Sequence, residues 1–425
     1  MTSPAEYAQA VRALAVNPLA GRGAALPAIE VPDLAGDLIV VEMAPGTEPF
    51  NITAPDWVDY SSRVTDISIS RGRGIETARI DVGSLTITLD NTDQALDSFA
   101  DADIAVNMPV RVSVIADGST VQLFQGFVDA GTFVYSFPSL HDVTFSATDG
   151  LRYFARDELD AYVYTSTNNR PDEILDDYLD DLGWPAGLRA LDTADRKVDT
   201  ATTTFSGNGL SFVDAVTLAE GPTSVRFINR EGEFDFRSRR AIETDSRSTG
   251  EVLTFTNRAS TTGLTVPVRY SDITAGLDTD TLYNKAAITR ESSGVVYTDS
   301  DATSITANGP STIAYTAMLD GTGSGPQDAT LLVDLYSAVA PRVTSLTTVC
   351  LNDSAEFAAV AALDIRDRVR VVHGLPGLPS PDELDVDLFI ESINITITKA
   401  NGGSRYTASF GFANCDKYDA LTGSW

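Results

Sequence analysis

Between Phe205 and Arg240 the hydrophobic period of this chain switches from that of a helix to that of a hairpin, so one must lead directly into the other. In the first half Phe212, Val213, Val216 and Ala219 fall on one helical face. Ser211 is placed to accept from the backbone N–H three residues on, with Asp214 reaching back, the pattern of a capping box. Gly221 supplies a left-handed stop and Pro222 forbids continuation. In the second half Val225 and Phe227 alternate with polar residues, Arg230-Glu231-Gly232 makes the turn, and Phe234 and Phe236 resume the alternation. A short capped helix feeding a hairpin is expected here.

Strands surround it. Leu38 to Val41 form an apolar run; Val64, Ile67 and Ile69 belong to the next strand, followed by an Arg71-Gly72-Arg73-Gly74 turn. Leu85, Ile87 and Leu89 alternate with Thr86, Thr88 and Asp90, the signature of a half-buried strand. Val110, Val112 and Val114 repeat it, Phe124 to Asp129 follow, and Val143, Phe145 and Ala147 close an antiparallel barrel or sandwich over 37–149. From Gly150 to Arg196 the period is helical. Pro171 suits a first helical position, Asp172 and Glu173 complement the macrodipole, and Ile174, Leu175, Tyr178, Leu179 and Leu182 form a stripe ended by Gly183. Further on, helices are expected over Gln327–Ala340, with Val339 on the apolar face, and Ala355–Ala362, and a strand opens from Leu363. The chain closes on a hairpin in which Ile393, Ile395 and Ile397 face Tyr406, Ala408, Phe410 and Phe412 across an Asn401-Gly402-Gly403 turn.

A chain of 425 residues exceeds one core, and two to four domains are expected. The boundaries read as an N-terminal helix (Pro4–Val16) and extended arm over 1–36, a β-barrel domain over 37–149, a helical linker region over 150–204, an α+β central domain over 205–300 and a C-terminal α+β domain over 301–425. The fold class is mainly β with small α+β insertions, multidomain, built on antiparallel barrel or sandwich domains.

Thirty basic and sixty acidic residues leave a net charge of −30, which keeps a concentrated, self-assembling protein soluble and suits a surface past which DNA slides. The two basic clusters, Arg71-Gly-Arg and Arg237-Ser-Arg-Arg, are expected to pair with carboxylates, so nucleic-acid binding is not supported. Cys350 and Cys415 are read as two independent buried thiols, with one disulfide between them the alternative. No apolar run approaches the ~20 residues of a membrane span. The N-terminus lacks the basic and apolar regions of a signal peptide, so synthesis and assembly in a cytoplasm are expected.

Chemistry-bearing motifs are sparse. His141 and His373 are the two histidines, both read as exposed loop residues, and no HExxH, GxSxG or P-loop occurs. Asp176-Asp177 with Asp180-Asp181 read as the wet face of a helix. Asp90-Asn91-Thr92-Asp93 and Asp101-Ala-Asp103 lack the glycine and distal glutamate of a calcium loop and read as turn chemistry. No catalytic, cofactor-binding or metal-ligating residue is assigned.

The order Val64-Thr-Asp-Ile-Ser-Ile-Ser-Arg-Gly-Arg, Gly83-Ser-Leu-Thr-Ile-Thr-Leu-Asp-Asn, Met108-Pro-Val-Arg-Val, Phe124-Gln-Gly-Phe-Val-Asp, Asp149-Gly-Leu, Gly183-Trp-Pro and the central helix and hairpin resembles the minor tail proteins, or tail-tip hub proteins, of siphophages infecting actinobacteria. Tyr270-Ser-Asp-Ile, Leu282-Tyr-Asn-Lys and Ala287-Ile-Thr-Arg extend the resemblance to nearly the whole chain from Asp37. The long N-terminal arm and the terse segment around Glu220-Gly-Pro depart from it. The resemblance implies a structural protein of the virion: a homotrimeric hub or baseplate ring that closes the tail tube and lets DNA pass on ejection. Its implied partners are itself, the distal tail or tail tube protein, receptor-binding or fibre proteins and the tape measure protein. DNA is only passing cargo, no membrane is entered, and no cofactor or enzyme activity is implied. The alternatives are a tail-associated polysaccharide- or peptidoglycan-degrading enzyme, or the hub of a phage-derived particle such as a gene transfer agent or contractile injection system.

Overall fold

The computed structural model describes residues 39–50, 55–96, 105–116, 118–136, 140–164, 169–198, 204–258, 261–277, 279–320, 324–340, 342–349, 354–374, 383–400 and 403–419. All of them lie in the second of two units, Leu34–Trp425. The helix and arm expected over 1–36, the Asp101-Ala-Asp103 motif, Cys350 and the Asn401-Gly402 turn lie outside the described residues.

The molecule is mainly β, as its alternating segments require, and its largest sheet falls into two halves that share one strand. In the first half the order is Val58–Asp59, Ile39–Met43, Pro109–Ala116, Ser119–Ser136, Leu140–Thr148, Ser84–Asp90 and Val64–Gly72, antiparallel throughout. Val64–Gly72 then pairs with the C-terminal part of the long strand Glu383–Ala400. The N-terminal part of that strand pairs with Arg368–Gly374, which continues in parallel through Leu253–Thr256 to Pro267–Val268. Its other edge carries Gly403–Asn414, then Arg342–Val349 and Asp272–Gly276. The strand changes neighbours beside a register shift between Ile390 and Ser392.

Hydrophobic alternation sets the register across the join. Ile397, Ile67, Ile87 and Phe145 form one cross-strand row, and Ile395, Ile69, Leu85 and Ala147 the next, all buried. A slip of one residue would turn each row to the opposite face, exposing side chains whose burial contributes about 1.5–3 kcal/mol apiece for the larger ones. One apolar core therefore runs through both halves.

Two smaller cores sit on the segments between. The helices Leu151–Arg156, Pro171–Asp181 and Gly209–Glu220 pack with the hairpin Val225–Ile228/Phe234–Arg237. The sheet Val296–Ser300, Lys285–Arg290, Thr312–Ala317 packs under the helix Ser324–Tyr336, whose core takes in Phe389, Cys415 and Tyr418. Cys415 is a buried free thiol.

Several local expectations need correction. Arg71 and Gly72 continue the strand rather than turn, and the span read as helical contains the strands Glu158–Val163 and Arg189–Leu191. The helix expected from Gln327 begins at Ser324 and ends at Tyr336, leaving Val339 39% exposed. The central helix begins at Gly209 with Asn208 as its cap, accepting from Ser211 N at 2.8 Å. Its first residue must be glycine, because a Cβ on Gly209 would lie 1.8 Å from the Tyr178 hydroxyl. At the far end Gly221 sits at φ 138°, ψ 169°, outside the left-handed helical well expected of it and in a region side chains avoid.

Candidate functional site

The central helix and hairpin hold the two halves of the sheet to the smaller cores. Both hairpin strands are buried on both faces, so the polar alternates Arg226 and Asp235 are buried too and must find partners. Asp214, released from the capping role, accepts from Arg226 Nε at 2.9 Å and Nη2 at 2.6 Å, and from Arg79 Nη1 at 2.8 Å. Arg226 also donates to the Ile80 carbonyl at 2.8 Å. Asp235 accepts from Arg237 Nε at 3.0 Å; burial pushes its pKa up to about 6 against that guanidinium's pull.

The hairpin tip wedges into the join of the sheet. Gln122 Nε2 donates to the Arg230 carbonyl at 3.0 Å, and Arg230 N donates to Asp364 Oδ2 at 3.0 Å. Asp364 also pairs with Arg71, which reaches the Ile228 carbonyl at 3.3 Å. One carboxylate thus ties the tip to both halves. Beside it Glu391, on the shared strand, pairs with Arg73 at 2.6 Å and Arg366 at 3.1 Å, all three side chains almost wholly buried. Both basic clusters therefore meet carboxylates, as expected: Arg237 pairs with Asp235 and Asp245, Arg239 lies 3.8 Å from Glu220, and Arg240 3.7 Å from Glu243.

Buried ion pairs of this kind add little net stability over apolar packing, but breaking one leaves an uncompensated charge in the interior.

The two histidines are not exposed loop residues. His141 is half-buried on the strand Leu140–Thr148, opposite Tyr135. His373 is half-buried on Arg368–Gly374, its Nδ1 within hydrogen-bond reach of the Tyr270 hydroxyl and 3.2 Å from Asn257 Nδ2. Their neighbours Leu140-His-Asp and His-Gly read locally as turns, and only the ladder partners reveal strands. Asp176, Asp177, Asp180 and Asp181 do form the exposed face of their helix, with Arg189 Nη1 at 2.7 Å from both Asp176 and Asp180. Asp90 accepts from Thr92 N and Asp93 from Ala95 N, the turn chemistry expected of that motif.

The burial of Asp149 had no local sequence signal. Asp149 is buried and accepts from Gly83 N at 2.7 Å and Leu151 N at 2.9 Å. Burial pushes its pKa up to about 7, opposed by those N–H groups and by Arg71 and Arg226. The folded value lies above the unfolded one, so the folded state binds the proton more tightly. Stability from this group is present in acid and is lost as pH rises from about 4 to about 7. The urea midpoint should therefore be higher at about pH 5 than at about pH 8, and Asp149→Asn should shrink the difference. A wild-type midpoint that rises over that range would contradict the assignment.

No family model and no curated protein matches the sequence. Solved structures do. The tail protein from Neisseria meningitidis MC58 aligns with 88% of this chain and 96% of its own at 9% identity, with a TM-score of 0.54. The 43 kDa tail protein of prophage MuSo2 from Shewanella oneidensis aligns with 88% of this chain and 97% of its own at 13% identity, with a TM-score of 0.50. At these identities the likeness is one of fold, and it spans almost the whole of each tail protein.

Proposed function

We propose that this chain is a structural protein of a phage tail tip, the hub that closes the tail tube. The observation that carries the reading is the fold shared, nearly end to end, with two tail proteins, one of them from a prophage. The architecture is compatible with it: the largest sheet has two halves joined on one strand, and in this reading each subunit contributes two β-walls to the ring. The buried ion pairs at the join suit a part that holds one geometry under load. In this reading the hub is a homotrimer seated on the distal tail or tail tube protein. It anchors receptor-binding or fibre proteins, meets the tape measure protein and gives DNA a passage without reading its sequence. Its address is the virion tail tip; no helix among the described residues is long and apolar enough to cross a membrane. The role is not enzymatic.

Co-expression with its tail tube protein, followed by imaging of the assembled particle, tests the proposal. Three copies per ring at the tube end are expected. One or six copies per ring would reject the trimer, and failure to join the tube would reject the hub. Release of sugars from cell-wall polysaccharide by the purified chain would instead favour the degrading enzyme.

A further inference from the structure

A cavity of about 140 Å³ opens between the loop 73–80, the central helix, the strand Thr312–Ala317 and the helix Ser324–Tyr336. It is close to the ~150 Å³ that accepts a benzene ring in a protein interior. Its walls are chemically divided. Leu218, Ile313, Leu332 and Tyr336 supply apolar lining, whereas Arg73, Glu76, Arg79, Asp214 and Arg226 bring charge.

Arg79 is the accessible part of that charged side. Its side chain is 60% exposed, and the 2.8 Å contact from Nη1 to Asp214 is its one hydrogen bond among the described residues. Asp214 cannot neutralise it alone, because the same carboxylate also takes both contacts from buried Arg226. Arg73, Arg79 and Arg226 face only Glu76 and Asp214 among the charged lining residues, which leaves a net positive charge beside the cavity in a chain of net charge −30. Arginine N–H donors left in solvent next to an apolar hollow match a planar anion attached to an apolar group. A cation would meet the wrong sign here, and a neutral apolar molecule would leave the donors unused.

We propose that this cavity is a binding site for an apolar group bearing a carboxylate, with the apolar part in the hollow and the carboxylate on Arg79. A free arylalkyl acid and a polypeptide ending in an aromatic residue both offer this chemistry. The inference does not depend on a tail-tip role.

Phenylacetate and phenylacetamide, titrated against the full chain by ligand-observed NMR, provide the test. Phenylacetate should bind about fivefold more tightly than the amide, the gain of one partly exposed ion pair. Arg79→Gln, at an exposed side chain, should abolish that preference while leaving weak binding of both. Ile313→Trp, at a half-buried position, should weaken both by filling the hollow. A second arm uses an acetylated dipeptide ending in phenylalanine, with free or amidated terminus. Tighter binding of its free form than of phenylacetate assigns the site to a chain terminus, and the reverse to a small acid. The proposal is overturned if neither probe binds, if acid and amide bind equally, or if the acid preference survives in Arg79→Gln.

Discussion

Glu391→Ala is expected to destabilise the fold by about 3–5 kcal/mol, because it strands two buried arginines at once. Glu391 is 2% exposed and is held between Arg73 at 2.6 Å and Arg366 at 3.1 Å, on the strand shared by both sheet halves. Burying an ion is tolerable only while its counter-charge is present. Glu391→Gln keeps the shape and removes the charge, so it should lie close to the alanine variant if the charge is what matters. The exposed pair Arg63–Asp93, at 2.7 Å, serves as control, since water screens it and Asp93→Ala should cost far less. Urea unfolding at neutral pH reads all three. A loss for Glu391→Ala no larger than that of the control would remove the junction from this account. Replacing Arg73, Glu391 and Arg366 together with apolar residues of similar volume should recover much of the loss, because no charge is then left alone.

Trp184→Ala should cost about 3–5 kcal/mol through the cavity it leaves. The indole is buried, with its ring centroid 5.6 Å from those of Phe50 and Phe154, and donates from Nε1 to the Leu188 carbonyl at 2.8 Å. It also lies against Gly150, where an added Cβ would come within 2.0 Å of the ring. Gly150→Ala should therefore cost about 1–3 kcal/mol by overpacking in the presence of the indole. In the Trp184→Ala background the same methyl group has room, so the double variant should be more stable than the sum of the two losses implies. Strict additivity by thermal or urea unfolding would show that the two sites do not touch.

How far the sequence reached can be read from these elements. Trp184 was visible within the Gly183-Trp-Pro motif, but its contact with Gly150 lay beyond any local pattern. Alternation of Leu85, Ile87 and Leu89, or of Ile393, Ile395 and Ile397, follows from a strand's period of two, so their buried faces were legible without coordinates. The helix Pro171–Asp181 was legible for a similar reason: its first residue, its acidic first turn and its apolar stripe are all set within a few residues of one another. Where a local pattern had a competitor, tertiary space decided. Ser211 looked like a cap, yet the helix starts earlier, at a glycine that lets Tyr178 approach, and Asp214 is drawn to Arg226 instead.

The join and the cavity were not legible at all. Arg73 meets Glu391 across 318 positions and Arg71 meets Asp364 across 293, and no periodicity carries information over such distances. Arg226 and Asp235 occupy the polar phase of a strand pattern that ordinarily means solvent. Only the elements packed on the second face of the hairpin bury them. By itself the sequence determined the strongly periodic strands and helices and their apolar faces, because these depend on neighbours one to four residues away. Which strand is shared, which charges are buried together and where a hollow remains depend on surfaces brought together from far along the chain, and only the tertiary structure decided them.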